Sequence, residues 1–367
     1  MSQTDIANKL ARQELIDMVP YQSARRLQSG GDAFNSKIWL NANEASGTGS
    51  YRLSGDCINR YPDFQPEPLL NAYSQYCQLP VDKILATRGA DEGIELIIRT
   101  FCQAYRDNIL ICPPTYGMYA ISAENHGAGV IKVPLVKNKL DLDGLANQVG
   151  KVKVVFLCSP GNPTGNLIPQ EQLKAAINLF KDSAIVVVDE AYIEFSPEQT
   201  AAGWIKDYEN LVVLRTLSKA FALAGLRCGF TLANPQIIAL LTKVIAPYPV
   251  PVPVADIATN ALNKEGLAAM STRVQEVKLL REKLGQWLTS QPWCEKVYDT
   301  DANFVLFKAK EKDRLFNSLA EQGILIRDQS RQLQLEGCLR ISIGSESELN
   351  LLKQVLESTM MPKQDMA

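Results

Sequence analysis

Lys219 and its neighbours offer the clearest chemistry in the sequence. Lys219 comes just after the apolar run 211–214, and small residues lead from it to Gly225, Arg227 and Gly229. A lysine at the end of a buried strand can serve as a nucleophilic amine, and a nearby arginine supplies a permanent positive charge. A lone lysine in a loop would be a solvated charge. These neighbours instead favour a reactive amine held close to an anion-binding site.

Other polar residues also follow apolar runs. Asp189 comes directly after the run 184–188, and Asn162 lies in the turn-rich segment 159–165. In sheets of parallel strands, ligands bind at the carboxyl ends of the strands. We therefore expect Asp189, Asn162 and Lys219 to meet at one edge of a sheet. The alternatives are a simple cap for Asp189 and a plain Asn-Pro turn for Asn162.

The elements that must position these residues alternate between helix and strand from about residue 90 to 245. Helical spacing of apolar residues recurs at 90–105, 115–126 and 169–181. The apolar runs between the helices are 108–112, 129–135, 152–158, 184–188, 211–214 and 229–233. Continuous runs of this kind are typical of strands buried on both faces, which predicts an α/β domain with a mostly parallel sheet between helical layers.

The chain of 367 residues is longer than a single core usually supports, which predicts two domains. Prolines occupy every second position from Pro247 to Pro253, a pattern that favours an extended linker over a helix. The predicted units are a large domain at 35–246, a linker at 247–253, and a smaller α+β domain formed by 1–34 and 254–367.

Composition excludes several classes of function. The 40 acidic and 38 basic side chains give a net charge of −2, so no global positive field attracts nucleic acid or an anionic membrane surface. No apolar run approaches the roughly 18 residues of a membrane span. Charges throughout residues 1–17 argue against a secretory signal. We therefore expect a cytoplasmic protein without nucleic-acid or membrane partners.

The cysteines and the histidine do not predict a metal site. The eight cysteines form no C-x-x-C pair, and one histidine is too few for a Cys/His cluster. That residue, His126, precedes Gly127 and is interpreted as a cap at the end of a helix. We expect reduced, mostly buried thiols and no bound metal.

Four segments carry recognisable motifs: Gly89-Ala-Asp-Glu92, Ser159-Pro-Gly-Asn-Pro-Thr-Gly165, Asp189-Glu-Ala-Tyr192, and Ser218-Lys219 followed by Gly225-x-Arg227-x-Gly229. In this order they resemble the fold-type I family of pyridoxal-phosphate aminotransferases. Within that family, the segments 41–44, 59–63, 88–93 and 339–344 look like the histidinol-phosphate aminotransferases. The chain departs from the family after Glu44, where the usual proline-containing turn is missing, and the conformation of the loop 45–60 is left open.

The resemblance implies an aspartate-aminotransferase-like α/β fold. Its large domain would have a mostly parallel seven-stranded sheet, and pyridoxal 5′-phosphate would be the cofactor. Lys219 would form an imine with the cofactor and carry the proton, while Asp189 would keep the pyridine nitrogen protonated. Tyr192 and Asn162 would hydrogen-bond the phenolate oxygen. Burial and nearby cations such as Arg227 would lower the pKa of Lys219 and keep its amine neutral.

Further contacts to the cofactor follow from the same resemblance. The donors to the cofactor phosphate would be the helix start at Ala90 and Asp91, together with Thr216, Ser218 and Arg227. Tyr116 would stack on the cofactor ring, with a core tyrosine as the alternative. Tyr61 would reach the cofactor phosphate of the other subunit, which implies a homodimer with shared active sites.

Substrate recognition is assigned to Arg340, Arg327 and Tyr21. Apolar residues alternate with Arg340 along 339–343, so we expect its side chain to be displayed on the polar side of a strand rather than packed. By resemblance, these three residues would bind the phosphate of the amine donor, with Asn162 also close to the substrate. The implied reaction converts L-histidinol phosphate and 2-oxoglutarate to imidazole-acetol phosphate and glutamate.

Three alternatives stay open at this stage. Threonine-phosphate decarboxylases and aromatic amino acid aminotransferases resemble the same family and differ in reaction or substrate. A regulatory protein could also keep the fold and the cofactor while serving only as a binding module. The complete set of Lys219, Asp189 and Arg340 argues against that last alternative.

Overall fold

A computed structural model describes Met18 and residues 37–47 and 58–360 of the chain. The strands are β1 Ile38–Trp39, β2 Ile84–Thr87, β3 Asn108–Ile111, β4 Gly129–Lys132, β5 Val154–Cys158, β6 Ile185–Asp189, β7 Leu211–Thr216, β8 Gly229–Ala233, β9 Cys294–Val297, β10 Phe304–Ala309, β11 Ile324–Leu325, β12 Arg327–Asp328 and β13 Cys338–Ser342. The α-helices are α1 Glu67–Cys77, α2 Ala90–Phe101, α3 Met118–His126, α4 Leu142–Ala146, α5 Gln170–Leu179, α6 Pro235–Leu241, α7 Val252–Ala261, α8 Lys264–Thr289, α9 Lys312–Glu321 and α10 Glu346–Met360.

The large sheet has seven strands in the order β2-β8-β7-β6-β5-β3-β4. Neighbouring strands are parallel except at β8, which runs antiparallel to both β2 and β7. The predicted mostly parallel, seven-stranded α/β fold is therefore confirmed. Because four adjacent strands are parallel to β7, their carboxyl ends lie along one edge, and β6 and β7 end there at Asp189 and Thr216.

Both faces of this sheet are buried, which explains the continuous apolar runs in the sequence. Along β6, Val187 packs into one core, with residues of α2, α3 and α6. Its neighbours Val186 and Val188 pack into the other core, which extends over α5 and into the C-terminal part of the chain. Alternating side chains of one strand thus bind two helical layers to the sheet.

The C-terminal part forms a second, antiparallel sheet in the order β12-β13-β10-β9, packed against α8, α9 and α10. The short β1 pairs in parallel with β11, so residues 38–39 join this part of the molecule rather than the large sheet. The domain limits given by the sequence stay a prediction. No helix in the described part is both long enough and apolar enough to cross a bilayer.

One expectation about the proline-rich segment was wrong. Helix α7 begins at Val252, so the predicted extended linker 247–253 ends two residues early. Pro251 is the residue before the helix, and Pro253 lies in its first turn. Backbone N–H groups in a first turn have no partner within the helix, so proline removes no hydrogen bond there.

Candidate active site

A cavity of about 550 Å³ opens at the carboxyl edge of the large sheet, between this sheet and the antiparallel sheet. Every residue assigned from the sequence to the site, apart from Tyr21 and Tyr61, lines it: Ala90, Asp91, Tyr116, Asn162, Asp189, Tyr192, Thr216, Ser218, Lys219, Arg227, Arg327 and Arg340. Residues more than 200 positions apart in the chain therefore meet around one cavity.

The two remaining residues lie elsewhere. Tyr21 falls outside the described residues. Tyr61 does not line the cavity; its side chain is 81% exposed and stacks on Tyr248 with ring centroids 4.4 Å apart. An exposed tyrosine away from its own chain's cavity is compatible with a role at another subunit.

Lys219 lies just beyond the end of β7, with its amine inside the site. Its Nζ donates a hydrogen bond of 3.0 Å to the carbonyl of Ala42. Burial, together with the cations Arg340 and Arg227, lowers the pKa of Lys219 to about 8, while Glu44 and Asp91 oppose the shift. The predicted direction of the shift therefore agrees with the structure. The cation with the larger influence is Arg340, rather than Arg227, which the sequence had suggested.

Asp189 ends β6 as a carboxylate that is only 3% exposed. It accepts hydrogen bonds from the Tyr119 hydroxyl at 2.6 Å and from the backbone N–H of Ala191 at 3.1 Å. Burial raises the pKa of Asp189 to about 6, although both hydrogen bonds lower it. Within the described residues, no lysine or arginine forms an ion pair with it. The carboxylate is thus placed to hold a cationic group that enters from the cavity.

Sequence reasoning missed Tyr119. Tyr119 lies on α3, three positions after Tyr116 in the chain, and its buried ring stacks on Phe156 with ring centroids 4.7 Å apart. Its pattern looked like that of an ordinary core aromatic. The only available signal was its hydroxyl, because a buried tyrosine hydroxyl needs a partner.

The start of α2 forms an anion-binding cup with the segment after β7. The helix begins at Ala90, so its first backbone N–H groups point to the cavity without intrahelical acceptors. Thr216 donates to Ser218 at 2.9 Å, and Arg227 donates to the same hydroxyl at 3.4 Å. Two hydroxyls, free helical N–H groups and a guanidinium therefore surround one small volume.

Asp91 adds a carboxylate to this cup. It accepts from Tyr116 at 3.0 Å and forms an ion pair with Arg227 at 3.3 Å. Both partners of the ion pair are about half exposed, so it contributes little to stability. Its effect is to orient Arg227 and Tyr116 toward the cup.

Gly229 allows β8 to approach the cup. A Cβ atom at this position would lie 2.6 Å from the backbone carbon of Gly89 and 2.8 Å from the nitrogen of Ala90. Gly89 itself has a φ of +81°, a conformation that glycine adopts without strain. The last glycine of the sequence motif is therefore needed for close backbone packing.

Arg327 and Arg340 are directly opposite each other on the antiparallel strands β12 and β13. Both side chains line the cavity. Like charges in a cross-strand pair repel each other. Two arginines in this arrangement form a site for a compact anion, which would offset the repulsion.

The expectation that Arg340 is displayed rather than packed was wrong. Arg340 is only 6% exposed, since β13 is covered on both faces. Its guanidinium donates to Asn162 Oδ1 at 2.5 Å and to the Asn41 carbonyl at 3.1 Å, and lies over the Phe304 ring at 5.1 Å. The alternation correctly separated Arg340 from its apolar neighbours, but the polar side faces the cavity instead of bulk water.

The segment 41–44 is a second part of the site that sequence reasoning left without a role. Asn43 adopts a φ of +53° and donates through Nδ2 to the Tyr192 hydroxyl at 3.0 Å. Asn162 donates to the same hydroxyl at 3.2 Å. The sequence signal that could have indicated this role was the pair Asn41 and Asn43 in one short motif. Both side chains are buried.

Other lining residues change the polarity of the cavity without adding charge. Gln329 and Gln332 lie close to Arg327 and are hydrogen-bonded to each other at 3.0 Å. Cys158 also lines the cavity, and burial raises the pKa of its thiol, which keeps it protonated. His126 lies outside this cavity, at the end of α3. The described residues contain no group of His, Cys, Asp or Glu that could hold a metal ion.

The family model described as aminotransferase class I and II matches residues 32–356. A histidinol-phosphate aminotransferase of Colwellia psychrerythraea is 64% identical over 96% of this chain and 99% of its own length. One from Escherichia coli is 50% identical over 92% of this chain and 94% of its own.

Solved structures agree on the fold. The histidinol-phosphate aminotransferase of Sinorhizobium meliloti, determined in complex with pyridoxal 5′-phosphate, superimposes with a TM-score of 0.81 at 24% identity. The alignment covers 95% of this chain and 97% of that one.

Proposed function

The chain belongs to the class I and II aminotransferase family, and from that premise we propose that it transfers the amino group of L-histidinol phosphate to 2-oxoglutarate. The products are imidazole-acetol phosphate and glutamate. Pyridoxal 5′-phosphate is the cofactor of this reaction, and histidine biosynthesis is the pathway that it serves.

The observation that carries this proposal is the cross-strand pair of Arg327 and Arg340 in the cavity that also contains Lys219. The residues of a second anion site, the cup at the start of α2, line the same cavity. These two sites would hold two phosphates at once, one on the cofactor and one on the substrate. Histidinol, which lacks both the phosphate and an α-carboxylate, would bring no anion to this pair of arginines.

The residues of the cup fit the cofactor phosphate. Backbone N–H groups at Ala90 and Asp91, the hydroxyls of Thr216 and Ser218, and the Arg227 guanidinium would hold it. The close approach of β8 through Gly229 leaves a backbone cradle that a side chain would fill. Tyr116 would lie against the cofactor ring.

Asp189 fits the pyridine nitrogen of the cofactor. Its buried carboxylate has an elevated pKa and two hydrogen bonds, but it has no cationic partner among the described residues. A protonated ring nitrogen would supply that partner and would itself be kept protonated by the ion pair. When bound, the cofactor supplies an electron sink for the negative charge that develops at the substrate's Cα.

Lys219 would perform the proton transfers at Cα. The amine must be neutral to accept a proton, and a pKa of about 8 leaves a substantial neutral fraction at mildly alkaline pH. Tyr192 and Asn162 would orient the cofactor ring. Arg340 and Arg327, with Tyr21, would bind the substrate phosphate and hold Cα close to the amine.

We also propose a homodimer in which Tyr61 completes the partner's site. The support is the 81% exposed Tyr61 ring, stacked on the half-exposed Tyr248 and absent from its own cavity. A cytoplasmic location is proposed as well. The seven cysteines in the described part are free thiols, as is usual in reducing compartments.

The proposal is tested with purified protein, pyridoxal 5′-phosphate and a panel of amine donors. Glutamate formation from histidinol phosphate and 2-oxoglutarate should exceed that from phenylalanine by at least an order of magnitude. Threonine phosphate should release no carbon dioxide. Preferential use of phenylalanine, or decarboxylation of threonine phosphate, would replace the proposed reaction with one of the two alternatives.

A further inference from the structure

The Tyr192 hydroxyl is the centre of a hydrogen-bond network in which donors and acceptors are fixed. It accepts from Asn43 Nδ2 at 3.0 Å and from Asn162 Nδ2 at 3.2 Å. A phenol oxygen accepts two hydrogen bonds and donates one. Both acceptor positions are therefore filled, and the hydrogen of Tyr192 must point elsewhere.

The amide of Asn162 has one possible orientation. Its Oδ1 accepts from Arg340 at 2.5 Å, and a guanidinium has donors only. The oxygen must therefore face Arg340, which turns Nδ2 toward Tyr192. The donor role of Asn162 thus follows from the chemistry of its neighbour.

Ser342 orients the amide of Asn43 in a similar way. The Ser342 hydroxyl accepts from the Asn43 backbone N–H at 2.8 Å and donates to Asn43 Oδ1 at 3.0 Å. Turning the amide over would leave the hydrogen of this fully buried hydroxyl without an acceptor among the described residues. The oxygen of Asn43 therefore faces Ser342, and its nitrogen faces Tyr192.

The backbone holds Asn43 in place for this contact. Its φ of +53° lies in the left-handed region, which asparagine tolerates better than most residues. Asn303 donates to the Asn43 carbonyl at 3.0 Å. Asn303 and Ser342 belong to the antiparallel-sheet unit, whereas Tyr192 follows β6 of the large sheet, so the contact also joins the two units.

We propose that Asn43 and Ser342 are positioning residues that force the Tyr192 hydroxyl to donate its hydrogen bond into the cavity. Among the described residues, no protein atom accepts that hydrogen, and Tyr192 lines the cavity. The acceptor is an oxygen anion of the bound group. This inference rests on the proposed function, under which that anion is the ring oxygen of pyridoxal 5′-phosphate.

Tyr192 remains a donor at all working pH values. Burial raises the pKa of its phenol above the ordinary value of 10, although Arg340 and the bond from Asn43 lower it. The phenol therefore stays protonated.

The inference is tested by reversing the direction of one hydrogen bond. Asn43→Asp keeps the side-chain shape and tolerates the same backbone conformation, but an ionised aspartate only accepts. Tyr192 would then donate to the new carboxylate and would cease to stabilise the anion in the cavity. In the holoenzyme, the pH midpoint of the bound cofactor's visible absorption should rise by about one unit or more.

Ser342→Ala tests the same idea without adding a charge. The amide of Asn43 is then free to turn, so the midpoint should rise by a smaller amount. Each variant is also made in the background of Tyr192→Phe, which has no hydroxyl to redirect. In that background the Ser342→Ala shift should vanish, and the Asn43→Asp shift should shrink to the effect of the added charge.

Asn210→Asp serves as the matched control. Asn210 is buried and donates to the carbonyls of Ile177 and Ala184 at the opposite edge of the large sheet. This variant should lower the melting temperature and leave the absorption midpoint unchanged. Shifts at Asn43 and Ser342 that persist undiminished in the Tyr192→Phe background, or no shift at all, would overturn the inference. A protein that binds no cofactor and gives no visible absorption band would instead overturn the proposed function.

Discussion

Tyr119 lies in the protein core and donates a hydrogen bond of 2.6 Å to the Asp189 carboxylate. This bond and the N–H of Ala191 leave the carboxylate oriented but without a cation among the described residues. Tyr119 thus orients Asp189, and under the proposed function the cofactor would supply the positive group that the carboxylate lacks.

We therefore predict different effects for two isosteric changes. Under the proposed function, Asp189→Asn removes the charge that keeps the ring nitrogen protonated and so breaks a buried ion pair, at a cost of roughly 3–5 kcal/mol. The single-turnover rate should fall by orders of magnitude. Stopped-flow spectra of the first half-reaction measure it. A decrease of only a few fold would mean that the carboxylate is structural.

Tyr119→Phe should have a milder effect with a characteristic pH dependence. The lost hydrogen bond had lowered the pKa of Asp189, so its removal raises that pKa. Activity that requires the carboxylate should then be lost at a higher pH than in the wild type. The acid limb of the pH profile of kcat/KM reports this change. An acid limb that moves to lower pH, or stays in place, would contradict the assignment.

Lys219 leads to a prediction about a rate that rises with pH. Only the neutral amine can react with the cofactor aldehyde, and the pKa of Lys219 is about 8. The rate at which apoprotein captures pyridoxal 5′-phosphate should therefore rise as the pH increases through about 8 and level off above it. An ordinary lysine would show this rise about two units higher.

Lys219→Ala is the companion experiment. The variant should fold, since the deleted side chain ends in a cavity, and should show no turnover and no covalent attachment of cofactor. Lys181→Ala, which changes an exposed lysine, is the matched control. Detectable reduction of a covalent cofactor adduct with borohydride in Lys219→Ala would show that another lysine is the reactive one.

The buried cluster behind the site leads to a stability prediction. Arg215 binds Glu190 at 2.7 Å and lies 3.6 Å from Glu194. Burial raises the pKa of Glu194 to about 7, although Arg215 lowers it. The folded state therefore holds this proton more tightly than the unfolded state does, and the stability that it contributes is lost as the pH rises from about 4.5 to about 7.

Glu194→Gln imitates the protonated side chain and should remove this dependence. The free energy of unfolding of the variant minus that of the wild type should increase by up to about 3 kcal/mol across that pH range. Urea unfolding of the apoprotein at several pH values measures it. A difference that does not change with pH would place the pKa of Glu194 in its usual range.

Much of this site could be predicted from the sequence because its main residues lie at the ends of strands or just beyond them. Asp189 and Lys219 follow continuous apolar runs, and parallel strands bring such positions to one edge whatever the rest of the chain does. The fold class, the cofactor and the resemblance to histidinol-phosphate aminotransferases are confirmed by the sheet and by the relatives. The residue roles and the domain limits remain predictions.

The parts that sequence reasoning missed depend on contacts between distant segments. Asn43 bonds to Tyr192 across 149 positions and to Ser342 across 299. No periodicity of a single strand or helix contains that information. The burial of Arg340 escaped prediction for the same reason, since it is covered by Asn41 and Asn162 from other parts of the chain.

The substrate assignment is tested by comparing histidinol phosphate with histidinol, which lacks the phosphate. If Arg327 and Arg340 bind it, histidinol should lose charge-assisted hydrogen bonds worth roughly 1.5–3 kcal/mol each. Its kcat/KM should be lower than that of histidinol phosphate by more than about a hundredfold. Arg340→Ala should weaken the use of histidinol phosphate to a similar degree and the use of histidinol by much less, since histidinol feels only the changes at Lys219 and Asn162.

The two substrates and two enzymes form a cycle that isolates the interaction between arginine and phosphate, because effects on folding or on cofactor binding are common to both substrates. Arg314→Ala, at an exposed arginine in the same part of the molecule, is the control and should leave both substrates unaffected. Arg340 also contacts Asn162 and the Asn41 carbonyl, so a structural role is the main alternative explanation. Equal losses on the two substrates would favour that role, and phosphate recognition by Arg340 would have to be abandoned.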